Sequence, residues 1–323
     1  MLRKFQYLLA LARERHFGRA AAACNIAQPT LSNALRQLEQ DLGVPIVERT
    51  HRFLTFTPEG EKVLDCARRM SHDLETLLID IGATGSEPSG RLRLGVIPTA
   101  VPMLAELIEP FGRRHPAIQL SISSLSSRQI QAGLDAFELD AGITYLDNEP
   151  LSGVRKLPLY SERYFLLTRR DGLDPARTET TWAEAATLPL CLLSPEMQNR
   201  RITDAAFAMA GLEVRPAVET NSIITLFCLA RTGPWSSIVP APLLALMPPC
   251  DELAARPLTV PEVTHSVGLV YADRVPPTPV AQALARVVST EGLARRLSRT
   301  LSDALAQRGL VGAPRPDRPQ SGA

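Results

Sequence analysis

The sequence predicts a chain of two parts: an N-terminal winged helix-turn-helix with a long helix behind it, and a C-terminal α/β domain of two lobes. Three observations lead to this fold class. The chain has 323 residues, more than one hydrophobic core usually supports. Residues 1–60 show helical apolar spacing followed by two short strand patterns. After residue 90, strand and helix patterns alternate.

Three helices are predicted at the start of the chain. The first has apolar residues at helical spacing: Phe5, Leu8, Leu9 and Ala12. An alanine-rich helix covers about residues 18–24, and residues 25–27 form a turn. The third helix has leucines four, three and four positions apart: Leu31, Leu35, Leu38 and Leu42. Gly43 ends it, and the last two helices joined by a short turn predict a helix-turn-helix.

A β-hairpin wing and a long helix are predicted next. Strand patterns at 46–49 and 53–56 form the wing. Thr57 and Pro58 then have the residue types of an N-cap and a first helical position. The apolar residues of this helix follow a heptad spacing: Val63, Ala67, Met70, Leu74, Leu77 and Ile81. The seam predicts a dimer coil with a second copy, and the alternative is that it packs on its own chain.

A Gly- and Pro-containing hinge precedes the second part of the chain. Strands are predicted at 92–97, 118–123 and 141–143, with helices at 103–111 and 127–137. This βαβαβ order predicts a parallel sheet. A second α/β unit covers about 162–264, and a strand at 267–271 with a helix at 279–288 returns to the first unit. Two lobes with crossing connections form a cleft, which is the default ligand site.

Composition and motifs exclude several classes of protein. Hydrophobic residues make up 45% and charged residues 21%, which is typical of a soluble protein. The net charge is +1, but residues 1–60 hold eight Lys/Arg against five acids, so positive charge collects at the N-terminal end. Five scattered cysteines without a C-x-x-C pair indicate a reducing, cytoplasmic location without disulfides or zinc.

No catalytic, export or membrane signal is found. A G-x-S-x-G, P-loop or H-E-x-x-H motif does not occur, so neither an enzyme, a cofactor nor a metal is expected. Charged residues from Arg13 to Arg19 interrupt the apolar run that a signal peptide would need. No run of about 18 apolar residues predicts a membrane span.

The N-terminal motif is similar to that of LysR-type transcriptional regulators. The residues that carry the resemblance are Phe17, Ala20-Ala21, Gln28-Pro29, Leu31-Ser32, Leu38-Glu39, Leu42-Gly43, Arg49 and Thr57-x-x-Gly60. The resemblance covers about residues 1–290, by motif in the N-terminal part and by pattern beyond it. The stretches LLALARERHFGRAAAAC and VPIVER with FTPEGE also resemble regulators encoded near formate dehydrogenase genes.

Pattern and resemblance together divide the chain as follows: 1–60 winged helix-turn-helix, 57–84 linker and dimerisation helix, 85–91 hinge, 92–161 with 266–290 lobe I, 162–265 lobe II, and 291–323 a C-terminal extension. A helix at 294–310 and a disordered Pro- and Gly-rich end at 312–323 are predicted within the extension. The resemblance implies that lobes I and II form a periplasmic-binding-protein-like effector domain.

The start of the third helix is expected to enter the major groove of DNA. Candidate DNA contacts in this helix and the wing are Gln28, Pro29, Thr30, Ser32, Asn33, Arg36, Arg49, His51 and Arg52. Asn33 stands where the family often has Arg, which favours an adenine contact or none over a guanine contact. For each position the alternative is a solvated surface residue. Glu39 is interpreted as a structural partner, because a carboxylate near phosphate is repelled.

The effector is expected at the ends of strands, where helix N-termini offer N–H groups to anions. The candidate contacts are Pro98, Thr99, Ala100, Ser126, Ser127, Thr144, Tyr145, Gln198, Asn199, Asn221 and Ser222. These small hydroxyl and amide groups suit a small anion, with formate or another small carboxylate as the leading candidate. Arg200 or Arg201 offers charge, although tandem arginines are more often surface residues. Thr99 is the leading contact, and its alternative role is a helix N-cap.

The sequence therefore predicts a regulator that binds promoter DNA, a small anionic effector and further copies of itself as a dimer and tetramer. RNA polymerase is a further candidate partner, and association with the nucleoid is expected. Two alternatives stay open. The two lobes alone fit a solute-binding protein, and the chain also fits a DNA-binding protein whose effector lobe senses nothing.

Overall fold

The N-terminal part of the computed structural model contains the predicted helix-turn-helix. The structure describes residues 1–49, 53–82, 90–246, 250–274, 278–290 and 292–307. Its first elements are α1 (Leu2–Glu14), α2 (Phe17–Ala23) and α3 (Gln28–Leu42), followed by the wing strands β1 (Val47–Arg49) and β2 (Phe53–Phe56). These bounds confirm the predicted helices and strands to within one or two residues.

A small hydrophobic core holds the three helices together. Its buried members include Phe5, Leu8, Leu11, Ala20, Ala21, Leu31, Leu35 and Leu38. The leucine spacing correctly predicts α3 as far as Leu42, which is 39% exposed and not part of this core. Leu42 lies in the final turn, beyond the core and next to Gly43, whose left-handed backbone (φ 71°) ends the helix.

Two side-chain contacts fix the wing to the helices. The Glu39 carboxylate accepts hydrogen bonds from the backbone N–H groups of Ile46 and Val47 at 3.0 and 3.1 Å. This confirms the structural role predicted for Glu39. Gly60 has no room for a side chain, because a Cβ there would lie 2.1 Å from the Ile46 carbonyl oxygen. The backbones of the wing segment and of the next helix are therefore in direct contact at Gly60.

The long helix α4 (Pro58–Gly82) begins at the predicted cap. The Thr57 hydroxyl accepts a hydrogen bond from the Gly60 N–H at 2.9 Å, as an N-cap does. In the first half of the helix, Val63 and Ala67 pack in the helix-turn-helix core together with Leu64. Farther along, Met70 and Leu77 are 40% and 52% exposed on this chain.

Lobe I is built on a mixed sheet. Its elements are β3 (Gly90–Val96), a 3₁₀ helix (Pro98–Met103), α5 (Leu104–Arg114), β4 (Ile118–Ser124), α6 (Ser127–Asp135) and β5 (Ala141–Tyr145). Strands β3, β4 and β5 are parallel, as predicted. The prediction of a parallel sheet was incomplete, because the next two strands in the sheet are antiparallel. One of them leads from lobe I to lobe II and the other returns from lobe II, and neither is reached through a crossover helix, so the parallel rule does not apply to them.

One long strand connects the lobes. Strand β6 (Val154–Arg169) pairs with β12 (Thr264–Ala272) along its first part and with β10 (Ser237–Pro240) and β11 (Leu253–Thr259) along its second. The remaining elements of lobe II are β7 (Thr180–Thr181), α7 (Trp182–Ala185), β8 (Cys191–Leu193), α8 (Gln198–Met209), β9 (Val218–Thr220), α9 (Ile223–Thr232) and α10 (Ala241–Leu246). Because β6 is shared, side chains at its middle lie between the lobes.

The chain returns to lobe I through β12 and two further helices, α11 (Pro279–Thr290) and α12 (Leu293–Ala306). Helix α12 buries Leu293, Leu297 and Leu301 against the effector core. The predicted disordered end at 312–323 lies outside the described residues. No helix in the described ranges has the length and apolar character needed to cross a bilayer.

Candidate functional site

Two candidate sites follow from this fold, a protein surface at α3 and a buried polar cluster between the lobes. On α3, one face is buried in the core and the opposite face is open. Its exposed side chains are Gln28, Pro29, Thr30, Asn33 and Arg36, and Ser32 is half-buried beside them. The predicted DNA contacts of this helix therefore share one accessible face.

The N-terminus of α3 adds backbone groups to that surface. Its N-cap residue is Ala27, which has no side-chain acceptor for the first N–H groups of the helix. Pro29 has no N–H and the Thr30 N–H donates to the Ala27 carbonyl oxygen at 3.0 Å, so the Gln28 N–H is the backbone group that this helix start can offer to an anion such as phosphate. The predicted wing contacts His51 and Arg52, and the side chains of Arg49 and of Ile81 in α4, lie outside the described part of the structure.

The second site is a hydrogen-bonded cluster where β5, β6, α8 and the 3₁₀ helix meet. The Tyr145 hydroxyl donates to Glu162 Oε1 at 2.5 Å and accepts from Asn199 Nδ2 at 3.1 Å. Thr99 Oγ1 lies 3.3 Å from the same hydroxyl. The Tyr164 hydroxyl also donates to Glu162 Oε1, at 3.2 Å. All five side chains are buried. We call them the cleft cluster.

Glu162 is the centre of the cleft cluster. Its side chain is completely buried, and this desolvation raises its pKa to about 8. The hydrogen bonds from Tyr145 and Tyr164 act in the opposite direction and lower the pKa, but by less. Burial also raises the pKa values of Tyr145 and Tyr164 well above their usual range, with the nearby Glu162 contributing. Near neutral pH the cluster is therefore uncharged, and its carboxyl is a hydrogen-bond donor as well as an acceptor.

Contacts from α8 join lobe II to the loop that follows β5 in lobe I. Gln198 Nε2 donates to the Asp147 carbonyl at 3.4 Å. The Arg201 guanidinium forms a two-point ion pair with the Glu149 carboxylate. The Asp147 carboxylate in turn contacts the His265 ring at 3.0 Å. Together with the hydrogen bond between Asn199 and Tyr145, these contacts join the two lobes at the cleft cluster.

Several predicted effector contacts have other roles. Ser126 caps α6, accepting from the Gln129 N–H at 3.3 Å, and Ser222 caps α9 in the same way. Asn221 is exposed. Successive residues of a strand point to opposite faces, so Thr144 lies on the other side of β5 from Tyr145. The two caps are local contacts over three residues, whereas the face that Thr144 occupies follows from its place on β5.

The remaining predicted contacts lie at the cleft. Pro98 begins the 3₁₀ helix and Ala100 is buried within it. Thr99 is not the N-cap of the 3₁₀ helix, because that position is Ile97. The Thr99 hydroxyl lies beside the Tyr145 hydroxyl instead. Ser127 is the buried first residue of α6.

The sequence favours a surface position for the two tandem arginines, with a cleft charge left open; Arg200 contradicts the surface position, while Arg201 is half-buried. Arg200 is buried and pairs with Asp204 at 2.8 Å and with Glu219 at 2.7 Å. Arg201 is paired with Glu149. Both guanidinium charges are therefore balanced by acids from their own surroundings, so neither supplies an unpaired cation to the cleft cluster.

Sequence reasoning missed the residues of β6. Tyr160, Glu162 and Tyr164 alternate along the strand and share a face, with Asp147 and His265 nearby on the loop after β5 and on β12. One signal was present, an acid between two tyrosines at spacing two in a strand pattern. An acid at a buried strand position usually has a functional or network role.

A separate groove of about 480 Å³ lies on lobe II. It contains none of the predicted effector contacts. Of its charged groups, Arg169 pairs with Asp171 and Arg177 with Glu184, each at 2.5 Å, while Arg256 donates to a backbone carbonyl. The cleft cluster, whose carboxyl has an unpaired oxygen, is the better candidate ligand site.

Family comparison agrees with this organisation. Residues 2–61 match the family described as "Bacterial regulatory helix-turn-helix protein, lysR family". Residues 85–292 match the "LysR substrate binding domain". The chain belongs to the LysR family. It is thus a DNA-binding transcription regulator with an effector domain and not an enzyme.

Three relatives illustrate the similarity. The hydrogen peroxide-inducible genes activator of Escherichia coli O6:H1 is 31% identical over 281 residues, covering 84% of this chain and 88% of the relative. A full-length OxyR variant from Pseudomonas aeruginosa matches with a TM-score of 0.73 and 25% identity, over 93% of this chain and 97% of that one. Full-length CbnR complexed with its target DNA shares the fold, with a TM-score of 0.65 and 21% identity over 92% of this chain and 100% of that one.

Proposed function

We propose that this LysR-family regulator reads a promoter through α3 and its wing and senses a small carboxylate at the cleft cluster. It acts as a dimer through α4 and as a tetramer through its effector domains, and ligand binding changes how the DNA is bound or bent. RNA polymerase is the downstream partner in this proposal. In this proposal the linker helix, the hinge and the two lobes have the boundaries that the sequence predicts.

The DNA-reading part of the proposal is supported by the accessible face of α3. Gln28 is suited to a paired contact with adenine, and Thr30 and Ser32 to phosphate or base edges. Asn33 is exposed on the same face and carries an amide rather than a guanidinium. We therefore propose that this regulator and relatives with Arg at this position prefer different bases at the operator base pair that faces Asn33. The solved CbnR complex with target DNA supports the general docking mode.

The sensing part is carried by one observation: Glu162 Oε2 is buried and has no hydrogen-bond partner among the described residues. Buried polar atoms in native proteins are nearly always paired, so an unpaired one indicates a missing ligand or water. A small carboxylate can fill that place by accepting a hydrogen bond from the buried carboxyl. Formate is the smallest such ligand and the first candidate.

The name of the Escherichia coli relative refers to hydrogen peroxide. Sensing of peroxide by a cysteine thiol has less support in this chain. The five cysteines are free, and none belongs to the cleft cluster. Burial raises the pKa values of Cys24 and Cys191, which disfavours the reactive thiolate. The relative's signal is therefore not transferred to this chain.

Thermal unfolding with added formate, acetate and nitrate tests the sensor, because a ligand of the folded state raises the unfolding temperature by mass action. Footprinting of the gene's own upstream region with and without the same ions tests the response on DNA. A footprint altered by a stabilising ion supports the proposal. A footprint that forms but ignores every ion would favour the alternative of a DNA-binding protein with a non-sensing lobe.

A further inference from the structure

We propose that Glu162 recognises the effector as a hydrogen-bond donor, so that the cleft binds a carboxylate only while Glu162 keeps its proton. This inference rests on the proposed function, because it assumes that a small carboxylate is the effector. It assigns a specificity role to a residue of the strand that both lobes share.

The hydrogen bonds determine which oxygen carries the proton. Glu162 Oε1 accepts from two hydroxyls, those of Tyr145 and Tyr164. An oxygen that accepts two donors in this way is a poor place for a proton of its own. The acid proton therefore sits on Oε2, which is buried and unpaired. The cluster presents a buried O–H donor that has no acceptor within the described chain.

The direction of the other hydrogen bonds around Glu162 is also fixed. Because the Tyr145 proton is used on Glu162, the Tyr145 oxygen can only accept from Thr99 and from Asn199. The Thr99 hydroxyl therefore donates its hydrogen bond to the Tyr145 oxygen. Its lone pairs are acceptors, and they cannot bind a carboxylate oxygen directly. The acid O–H on Glu162 Oε2 is a donor without a partner among the described residues, and it is therefore available to a ligand.

The start of α8 provides the second part of the site. Its N-cap is Met197, without a side-chain cap, and Gln198 and Asn199 are its first two residues. Through Asn199 the helix start is hydrogen-bonded to the cleft cluster. An uncapped N-terminus of a twelve-residue helix stabilises an anion through its N–H groups and dipole. A carboxylate between Glu162 and α8 would therefore be held from both sides.

Electrostatics require the proton. Arg200 and Arg201 are already paired with acids, so neither of these guanidinium groups is available to balance two negative charges. An ionised Glu162 beside a bound carboxylate would place like charges together in a buried site, which is strongly unfavourable. Protonated Glu162 removes this repulsion and supplies a charge-assisted hydrogen bond.

The titratable and charged groups facing Glu162 are consistent with this assignment. They are Tyr145 on β5, Asp147 after it, Tyr160 and Tyr164 on β6, and His265 on β12. The tyrosine pKa values are raised by burial, so these phenols stay neutral when Glu162 titrates. Asp147 raises the Glu162 pKa further. His265 is the group that a control must separate from Glu162.

Calorimetric titration of the full-length protein with sodium formate from about pH 6.5 to 9.5 tests the inference. We expect affinity to be constant in the lower half of the range and to fall about tenfold per pH unit above about 8. Glu162→Gln keeps a donor on the side chain but cannot lose a proton. It should bind formate within a few-fold of the original protein, with no pH dependence. His265→Asn should retain the alkaline fall.

A measurement on the unchanged protein guards against a variant that does not fold. At about pH 8.5, formate binding should take up between about half and one proton, measured as the difference in binding enthalpy between buffers of different ionisation enthalpy. A flat affinity profile, or an alkaline fall that survives in folded Glu162→Gln, would overturn the role of Glu162 alone. If the folded protein binds neither formate nor acetate at any pH, the proposed carboxylate effector fails as well.

Discussion

At the residue scale, the chemistry of this regulator depends on a few buried polar side chains. Glu162, Tyr145, Tyr164, Thr99 and Asn199 come from distant parts of the chain and share one hydrogen-bond network. Such a network is stable when all its members are paired and costly when one is not. Its single unpaired oxygen, on Glu162, is the atom through which we propose that ligand binding affects this network.

Stability should depend on pH through Glu162. Its pKa is raised in the folded protein to about 8, so the folded state holds a proton that the unfolded chain releases at lower pH. The stabilisation is complete below the ordinary glutamate range and is lost as pH rises through about 8. Glu162→Gln should remove about one proton from the difference in proton binding between folded and unfolded states. Denaturant unfolding at about pH 5, 7 and 9 measures this. Identical pH slopes for both proteins would contradict it.

Thr99→Ala should weaken carboxylate binding without unfolding the chain. The Thr99 hydroxyl donates to Tyr145 and thereby keeps the Tyr145 proton on Glu162. Loss of one such bond should weaken affinity by about five- to tenfold, corresponding to about 1 kcal/mol. Thr99→Ser, which keeps the hydroxyl, is the matched control. Unchanged formate affinity in Thr99→Ala with an unchanged fold would exclude a role for this side chain.

At the element scale, helices α3 and α4 each divide their residues between a buried and an open face. On α3 the buried leucines lie opposite the DNA-reading face. On α4 the first half belongs to the helix-turn-helix core, whereas Met70 and Leu77 are exposed in the single chain. Exposed apolar residues at heptad spacing on a long helix favour a partner helix.

Leu35→Ala should destabilise the N-terminal domain. The side chain is fully buried between the helices, so truncation leaves a cavity that costs about 2–5 kcal/mol. Asn33→Ala, two positions away on the exposed face, is the control and should change stability little. Thermal unfolding followed by circular dichroism compares the two. An unchanged melting temperature for Leu35→Ala would show that the helix register is wrong.

Leu77→Glu should weaken self-association while leaving the fold intact. A charge at an apolar coil position has to be desolvated in the dimer, but it costs little in the monomer because Leu77 is already exposed. Lys62→Glu on the same helix is exposed and off the seam, and it serves as the control. Sedimentation velocity should show a smaller species for Leu77→Glu only. Equal assembly of both variants would favour the alternative that the seam serves its own chain.

At the scale of the whole molecule, the regulator combines a nearly neutral chain with a basic DNA-binding end. The net charge is +1 over 323 residues, and the excess of Lys/Arg is confined to the first 60. Attraction to DNA should therefore come from that end and from the open N-terminus of α3. Strand β6 carries Glu162 and runs through both lobes, so the proposed sensing residue lies on the strand that the lobes share.

Operator affinity should fall steeply with salt. Binding that neutralises several phosphates releases counterions, so a dimer with about six phosphate contacts should lose on the order of a thousandfold in affinity between about 50 and 200 mM salt. Fluorescence anisotropy with a labelled operator at several salt concentrations measures the slope. Arg36→Ala should reduce it, since Arg36 is exposed on the α3 surface. An affinity that does not respond to salt would contradict phosphate contacts.

The sequence by itself determined the helix-turn-helix, the cap at Thr57 and the order of strands and helices. These features are set by local spacing and capping, which act over a few residues. Tertiary structure decided that Arg200 is buried and paired and that Thr144 faces away from the cleft. It also decided that Glu162 meets Tyr145. Such contacts join residues far apart in the chain, and no local pattern records which faces meet or which charges are already neutralised.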